Sequence, residues 1–116
     1  HCLAVYPPAD EDTNLLVLET LRRAFPGVPV GFSSHARDTF PVVAAVAMGA
    51  ELVEAHLTLD RNMSGSDHKA SLEPLEFKNM VSQIRRLETL RGDGIKRVLS
   101  PEAKIMEKLR RVDNLF

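Results

Sequence analysis

Two stretches constrain this chain more than any other: Val28-Pro29-Val30-Gly31-Phe32-Ser33-Ser34-His35 and Val53-Glu54-Ala55-His56-Leu57-Thr58-Leu59-Asp60. Each is a short apolar run that ends in polar, ligand-capable side chains, the sequence form of a buried parallel strand that delivers chemistry at its C-terminal end. Imidazole is the commonest protein ligand for divalent transition metals, so His35 and His56, at two matching strand ends, form a candidate metal pair. Taken singly, a histidine in an apolar run is more often a satisfied core residue; the shared position is what singles out these two.

The rest of the chain is organised around those runs. Residues 1–6 are apolar, are stopped by Pro7-Pro8 and read as a further buried strand. Ala9-Asp10-Glu11-Asp12-Thr13 supplies acidic groups and a cap ahead of Leu15, Leu16, Leu18, Leu21 and Phe25, whose spacing predicts one helix ending at Pro26-Gly27. A strand over 28–33, a polar loop over 34–39, a helix of small apolar residues over 40–48 with Gly49 as its stop, and a strand over 51–58 follow. This β-α-β-α-β order with short connections predicts an α/β fold of parallel strands joined by right-handed crossover helices. Residues 59–72 then form a long polar segment at a strand's C-terminal end, where loops of such length are usually functional or disordered. Ser71-Leu72-Glu73-Pro74 starts a helix with Leu75, Phe77, Met80, Val81, Ile84 and Leu87 on one face, ending near Gly92. Gly92-Asp93-Gly94 reads as a turn, and Ser100-Pro101-Glu102 as the start of a short charged helix over 103–112. The expected core is Leu15, Leu18, Val43, Val46, Phe77, Val81 and Ile84 against three strands.

Composition narrows the function classes. Fifteen basic against sixteen acidic residues leave a formal net charge of -1, so no global field favours nucleic acid or an anionic membrane, and the expected partner is small. Lys78, Arg85 and Arg86 accordingly read as a solvated helix face. One cysteine, Cys2, leaves no internal disulfide and too few thiolates for a structural zinc site, and fits a reducing compartment. With no apolar run of about 18 residues and no basic-then-apolar leader, no membrane association and a cytoplasmic location are expected. The chain starts at His1 without an initiator Met and is less than half of the ~250 residues of a complete eight-unit barrel, so it reads as a piece of a larger protein.

Four motifs, in order along nearly the whole chain, carry a resemblance: His1-Cys2-x-x-x-Tyr6-Pro7, Gly31-Phe32-Ser33-Ser34-His35, Glu54-x-His56-x-Thr58-Leu59-Asp60 and Gly65-Ser66-Asp67-His68-x-x-Ser71-Leu72-Glu73-Pro74. Together they resemble the sialic acid synthase family. The resemblance implies parallel β/α units from the C-terminal part of a (β/α)8 TIM barrel. Residues 1–92 would be the last three units, and 93–116 a C-terminal extension or linker helix. It further implies a C–C bond-forming transferase that condenses phosphoenolpyruvate with N-acetylmannosamine or a related acylamino sugar, with release of phosphate. A divalent metal, Mn2+ or Mg2+, and a homo-oligomer, a dimer in the family, come with it.

Matched position by position, the resemblance makes His35 and His56 metal ligands, in agreement with the pairing read from the strand ends. It places Glu54 and His56 at the catalytic centre, Tyr6 and Ser33 on substrate, with Ser33 toward the phosphate, and Asp67 on the sugar's hydroxyls. Ser71 and Glu73 match as well, although helix capping also accounts for them. Three positions depart from the family pattern: Ala4 where Ser or Asn is usual, Ala55 where Lys or Arg is common, and Ser34 where Asp or Gly is common. Neighbours on a strand alternate faces, so Ala55 should touch packing more than chemistry, whereas Ala4 removes a hydrogen bond expected at the phosphoenolpyruvate end. Two other readings stay open. One is a non-catalytic sugar-binding or structural fragment of the same fold; the other is a small flavodoxin-like binding domain, which lacks a Gly-rich phosphate turn here.

Overall fold

The computed structural model describes residues 1–109. In chain order it contains α1 (Asp10–Thr13), α2 (Val17–Ala24), β1 (Gly31–Ser34), α3 (Phe40–Ala47), β2 (Leu52–Ala55), a 3-10 turn (His68–Ala70), α4 (Pro74–Arg91) and α5 (Ser100–Leu109). Strands β1 and β2 are parallel, in the register Gly31↔Leu52, Phe32↔Val53, Ser33↔Glu54 and Ser34↔Ala55. The expected first strand contributes only the parallel bridge Cys2↔Ser33 on the other side of β1. The three segments therefore lie side by side in sequence order, with α3 as the crossover between β1 and β2, as parallel α/β units require.

The two faces of the strand pair differ in character. Phe32 and Ser34 are buried, and Ala55 packs with Val42, Leu72 and Met80, so this face meets the helices. Ser33 and Glu54 alternate with these residues and therefore take the opposite face. Leu18, Val30, Phe32, Ala45 and Ala50 form one core cluster and Val42, Leu72 and Met80 a second. Within α3 it is Val42 and Val46 that are buried while Val43 is half-buried, and Val81 on α4 is exposed; these two were expected in the core. Helix phase decides this, since a one-residue step rotates a side chain by about 100° around the axis.

Three boundaries differ from the sequence reading. The helix expected from about Leu15 to residue 25 begins only at Val17, and the acidic segment expected to cap it forms the separate short α1, which ends where Asn14 adopts φ 44 and the Thr13 carbonyl faces His1 Nε2 at 2.8 Å. Strand β2 ends at Ala55, so His56 lies just beyond it. Its backbone is held by the Leu72 N–H, which donates to the His56 carbonyl at 2.8 Å. Finally, α4 is capped by Glu73 and not by Ser71: the Glu73 carboxylate and the Glu76 side chain close a reciprocal capping box. Gly49, at φ 92, ends α3 as expected. The charged helix expected over 103–112 begins three residues earlier, and its last part, from residue 110, lies outside the described residues.

Candidate functional site

The site forms where β1 and β2 end side by side. His35 directly follows β1 and His56 directly follows β2, so two neighbouring parallel strands deliver one imidazole each to the same end of the layer. Their ring centroids are 5.2 Å apart with planes at 74°. Tyr6, beyond the first strand segment, stacks on His35 at 3.9 Å and meets His56 edge-on at 5.7 Å. Three expected site residues from three separate segments thus share one aromatic cluster.

His35 is 6% exposed, and its Nδ1 faces the Leu3 carbonyl at 2.7 Å. A carbonyl only accepts, so Nδ1 carries a proton, which in the neutral imidazole leaves the lone pair on Nε2. That is the arrangement by which a neighbouring acceptor orients a ligating imidazole. His56 is more open, with Nδ1 3.9 Å from Asp67 Oδ2, a distance that allows ionic attraction but not a hydrogen bond. The chemistry of this donor pair fits a divalent transition ion, with room for water or substrate oxygens at the remaining positions. No group of three or more His, Cys, Asp or Glu side chains assembles into a ready metal cluster among the described residues.

Ser33 and Glu54, partners in the strand register, are joined directly: Ser33 Oγ donates to Glu54 Oε1 at 2.7 Å. A hydroxyl has one proton to donate, so a substrate oxygen that took it from Ser33 would compete with Glu54 for it. Glu54 is exposed and has no cationic partner within ion-pair range among the described residues. Asp67 lies on the loop after β2, its Oδ1 accepting from Ser66 Oγ at 2.8 Å and its carbonyl accepting from Ser71 Oγ at 2.7 Å.

Several residues of this neighbourhood carried no individual signal in the sequence. The Leu3 carbonyl is a backbone group. Thr58, 4% exposed, is 2.8 Å from His68 Nδ1 and so ties the loop back to the strand end. Arg61 reads as one more charged loop residue, yet it makes contacts to three different segments.

Residues 1–96 match the NeuB family. The chain is 45% identical over 111 residues to the N,N'-diacetyllegionaminic acid synthase of Campylobacter jejuni, an alignment covering 96% of this chain and 33% of that protein. It is 43% identical over 109 residues to the human N-acetylneuraminate-9-phosphate synthase, covering 94% and 30%. Among solved structures it is similar to the N-acetylneuraminic acid synthetase of Leptospira borgpetersenii, with a TM-score of 0.78 and 34% identity over 96% of this chain and 40% of that one. The chain spans about a third of the length of these curated relatives.

Proposed function

We propose that this chain, which belongs to the NeuB family, is the part of a nonulosonic acid synthase that supplies the metal pair and the sugar-binding loop. The full protein would condense phosphoenolpyruvate with an acylamino sugar and release phosphate. The observation that carries this reading is the convergence of His35, His56 and Tyr6, with Asp67 beside His56, at the C-terminal ends of two adjacent parallel strands. That is where barrel enzymes place their chemistry. Residues 1–92 form the barrel units in this reading and 93–116 an extension, which the family match ending at 96 supports.

His35 and His56 would hold a divalent ion, Mn2+ or Mg2+, which when bound would polarise the sugar's aldehyde oxygen. Glu54, on the strand face opposite the helices and bonded to Ser33, positions water or moves a proton during addition. Ser33 presents its hydroxyl to the phosphoenolpyruvate phosphate, Tyr6 lines the substrate, and Asp67 accepts hydrogen bonds from sugar hydroxyls. The protein acts in the cytoplasm as a homo-oligomer. No helix among the described residues is long and apolar enough to cross a membrane.

The test is phosphate release from phosphoenolpyruvate by the full-length protein, with N-acetylmannosamine and its diacetamido relatives as acceptors and added manganese. Release with at least one sugar, abolished by exhaustive chelation and restored by manganese, is expected. Full activity after chelation, or in the His35→Ala plus His56→Ala double variant, would refute the metal role. Ala4 favours a second reading, a non-catalytic sugar-binding fragment. It stands next to Leu3, whose carbonyl orients His35, and brings only a methyl group there. Sugar binding without phosphate release from any acceptor would select it.

A further inference from the structure

We propose that Arg61 is a positioning residue for the sugar, fixing the loop that carries Asp67 against both α4 and the loop after β1; this rests on the functional reading above. Its Nε donates to the Ser71 carbonyl at 2.9 Å, and its Nη2 donates to Glu76 Oε2 at 2.5 Å and to the Arg37 carbonyl at 3.2 Å. Its backbone N–H donates to Glu73 Oε1 at 3.2 Å. One side chain thus links the start of the 59–72 loop, its end at Ser71, the first turn of α4 and the segment that follows His35. A guanidinium carries five donors in a planar fork and reaches acceptors in several directions with less loss of freedom per bond than an ammonium.

Helix stability does not account for this placement. A cation at the N-terminus of α4 faces the positive end of the helix dipole, which disfavours it. The capping box would close without it, since the Glu73 N–H already donates to Glu76 Oε2 at 2.8 Å. What the guanidinium adds is a connection between the loops from the two strand ends that carry His35 and His56. Asp67 sits between two local anchors, Ser71 Oγ on its carbonyl and Thr58 on the neighbouring His68. Backbone bonds between Leu72 and both His56 and Thr58 hold the end of the loop at the strand, and Arg61 adds the side-chain connection from its start to α4 and to the loop after β1. The Arg61 and Glu76 side chains are 30% and 37% exposed, shielded enough to hold one geometry.

The test uses the full-length protein with the acylamino sugar that gives the fastest phosphate release. Arg61→Ala is expected to raise the sugar KM about 10- to 100-fold, by analogy with the loss of partners that orient metal ligands. The phosphoenolpyruvate KM should stay close to wild type, and amide hydrogen exchange should quicken over residues 60–70 but not in β1 or α3. Arg61→Lys, which keeps the ion pair with Glu76, should recover part of the loss. A wild-type sugar KM in Arg61→Ala, or an equal loss for both substrates with a lowered melting temperature, overturns the proposal. If Arg61→Ala does not fold, Arg61→Lys and Glu76→Gln decide: an intermediate rise in sugar KM supports it, and wild-type values in both overturn it. If wild-type protein turns over no sugar, the functional reading fails, and the exchange of residues 60–70 still decides whether Arg61 orders the loop.

Discussion

Glu54 shows how much of a residue's role its surroundings decide. A glutamate inside an apolar strand run is either a buried ion-pair partner or a working carboxylate, and the sequence contains both possibilities. The structure leaves Glu54 exposed, bonded to Ser33 and with no cation in range among the described residues. Glu54→Gln in the full-length protein should lower turnover about 100-fold or more, as expected for a general acid or base, with an unchanged melting temperature. Surviving turnover with reduced stability would return Glu54 to a structural role. The histidine pair was legible because its signal is positional, two strand ends of the same kind. The orientation of His35 was not, because it depends on the Leu3 carbonyl, 32 residues away in sequence.

The elements were legible in type and order, less so in extent. Periodicity predicts a helix through Leu15, Leu18 and Leu21, and α2 is there but starts only at Val17, while Asn14 ends the short α1 before it by taking the left-handed conformation that Asn tolerates better than most side chains. Strand lengths were overestimated because an apolar run marks burial, while a strand also needs a partner beside it. β1 and β2 pair over four residues, and the first segment meets β1 at a single bridge. Their contact is tight at Gly31, where an added Cβ would fall 2.7 Å from the Leu52 carbonyl oxygen and 2.8 Å from Leu52 Cβ. The clash is partly with backbone, which cannot rotate away. Gly31→Ala should thus destabilise the full-length protein by about 1–3 kcal/mol, the range for overpacking. A wild-type denaturation midpoint would show that the two strands separate at no cost.

The described residues are far from a compact ball: their radius of gyration is 20.0 Å, with extents of 70 × 35 × 24 Å. A compact domain of this length would have a radius of gyration of about 13 Å. Residues past α4 contribute to the difference, with Ile95, Val98, Leu99, Ile105 and Leu109 all exposed. Leu52, at 65% exposure, lies on the same strand face as Ser33 and Glu54, the face that a closed barrel would enclose. A two-stranded parallel sheet cannot close, and unpaired strand edges are templates for association. Residues 1–116 alone should therefore sediment as oligomer or aggregate and release no phosphate from phosphoenolpyruvate. A monodisperse monomer that turned substrate over would show that these units hold a working site without the rest of a barrel.

By itself, the sequence determined the alternation of strands and helices, their parallel arrangement, and the placement of His35 and His56 at strand ends. All of these follow from local patterns, the spacing of apolar residues and the punctuation by Pro and Gly, which a reader of the chain sees directly. The tertiary structure alone decided that Ser33 faces Glu54, that Tyr6 stacks on His35, that Asp67 approaches His56, and that Arg61 spans three segments. Each of these pairs residues distant in the chain or across a loop. Such contacts are set by strand register and by how helices pack on the strands, which no short window of sequence encodes.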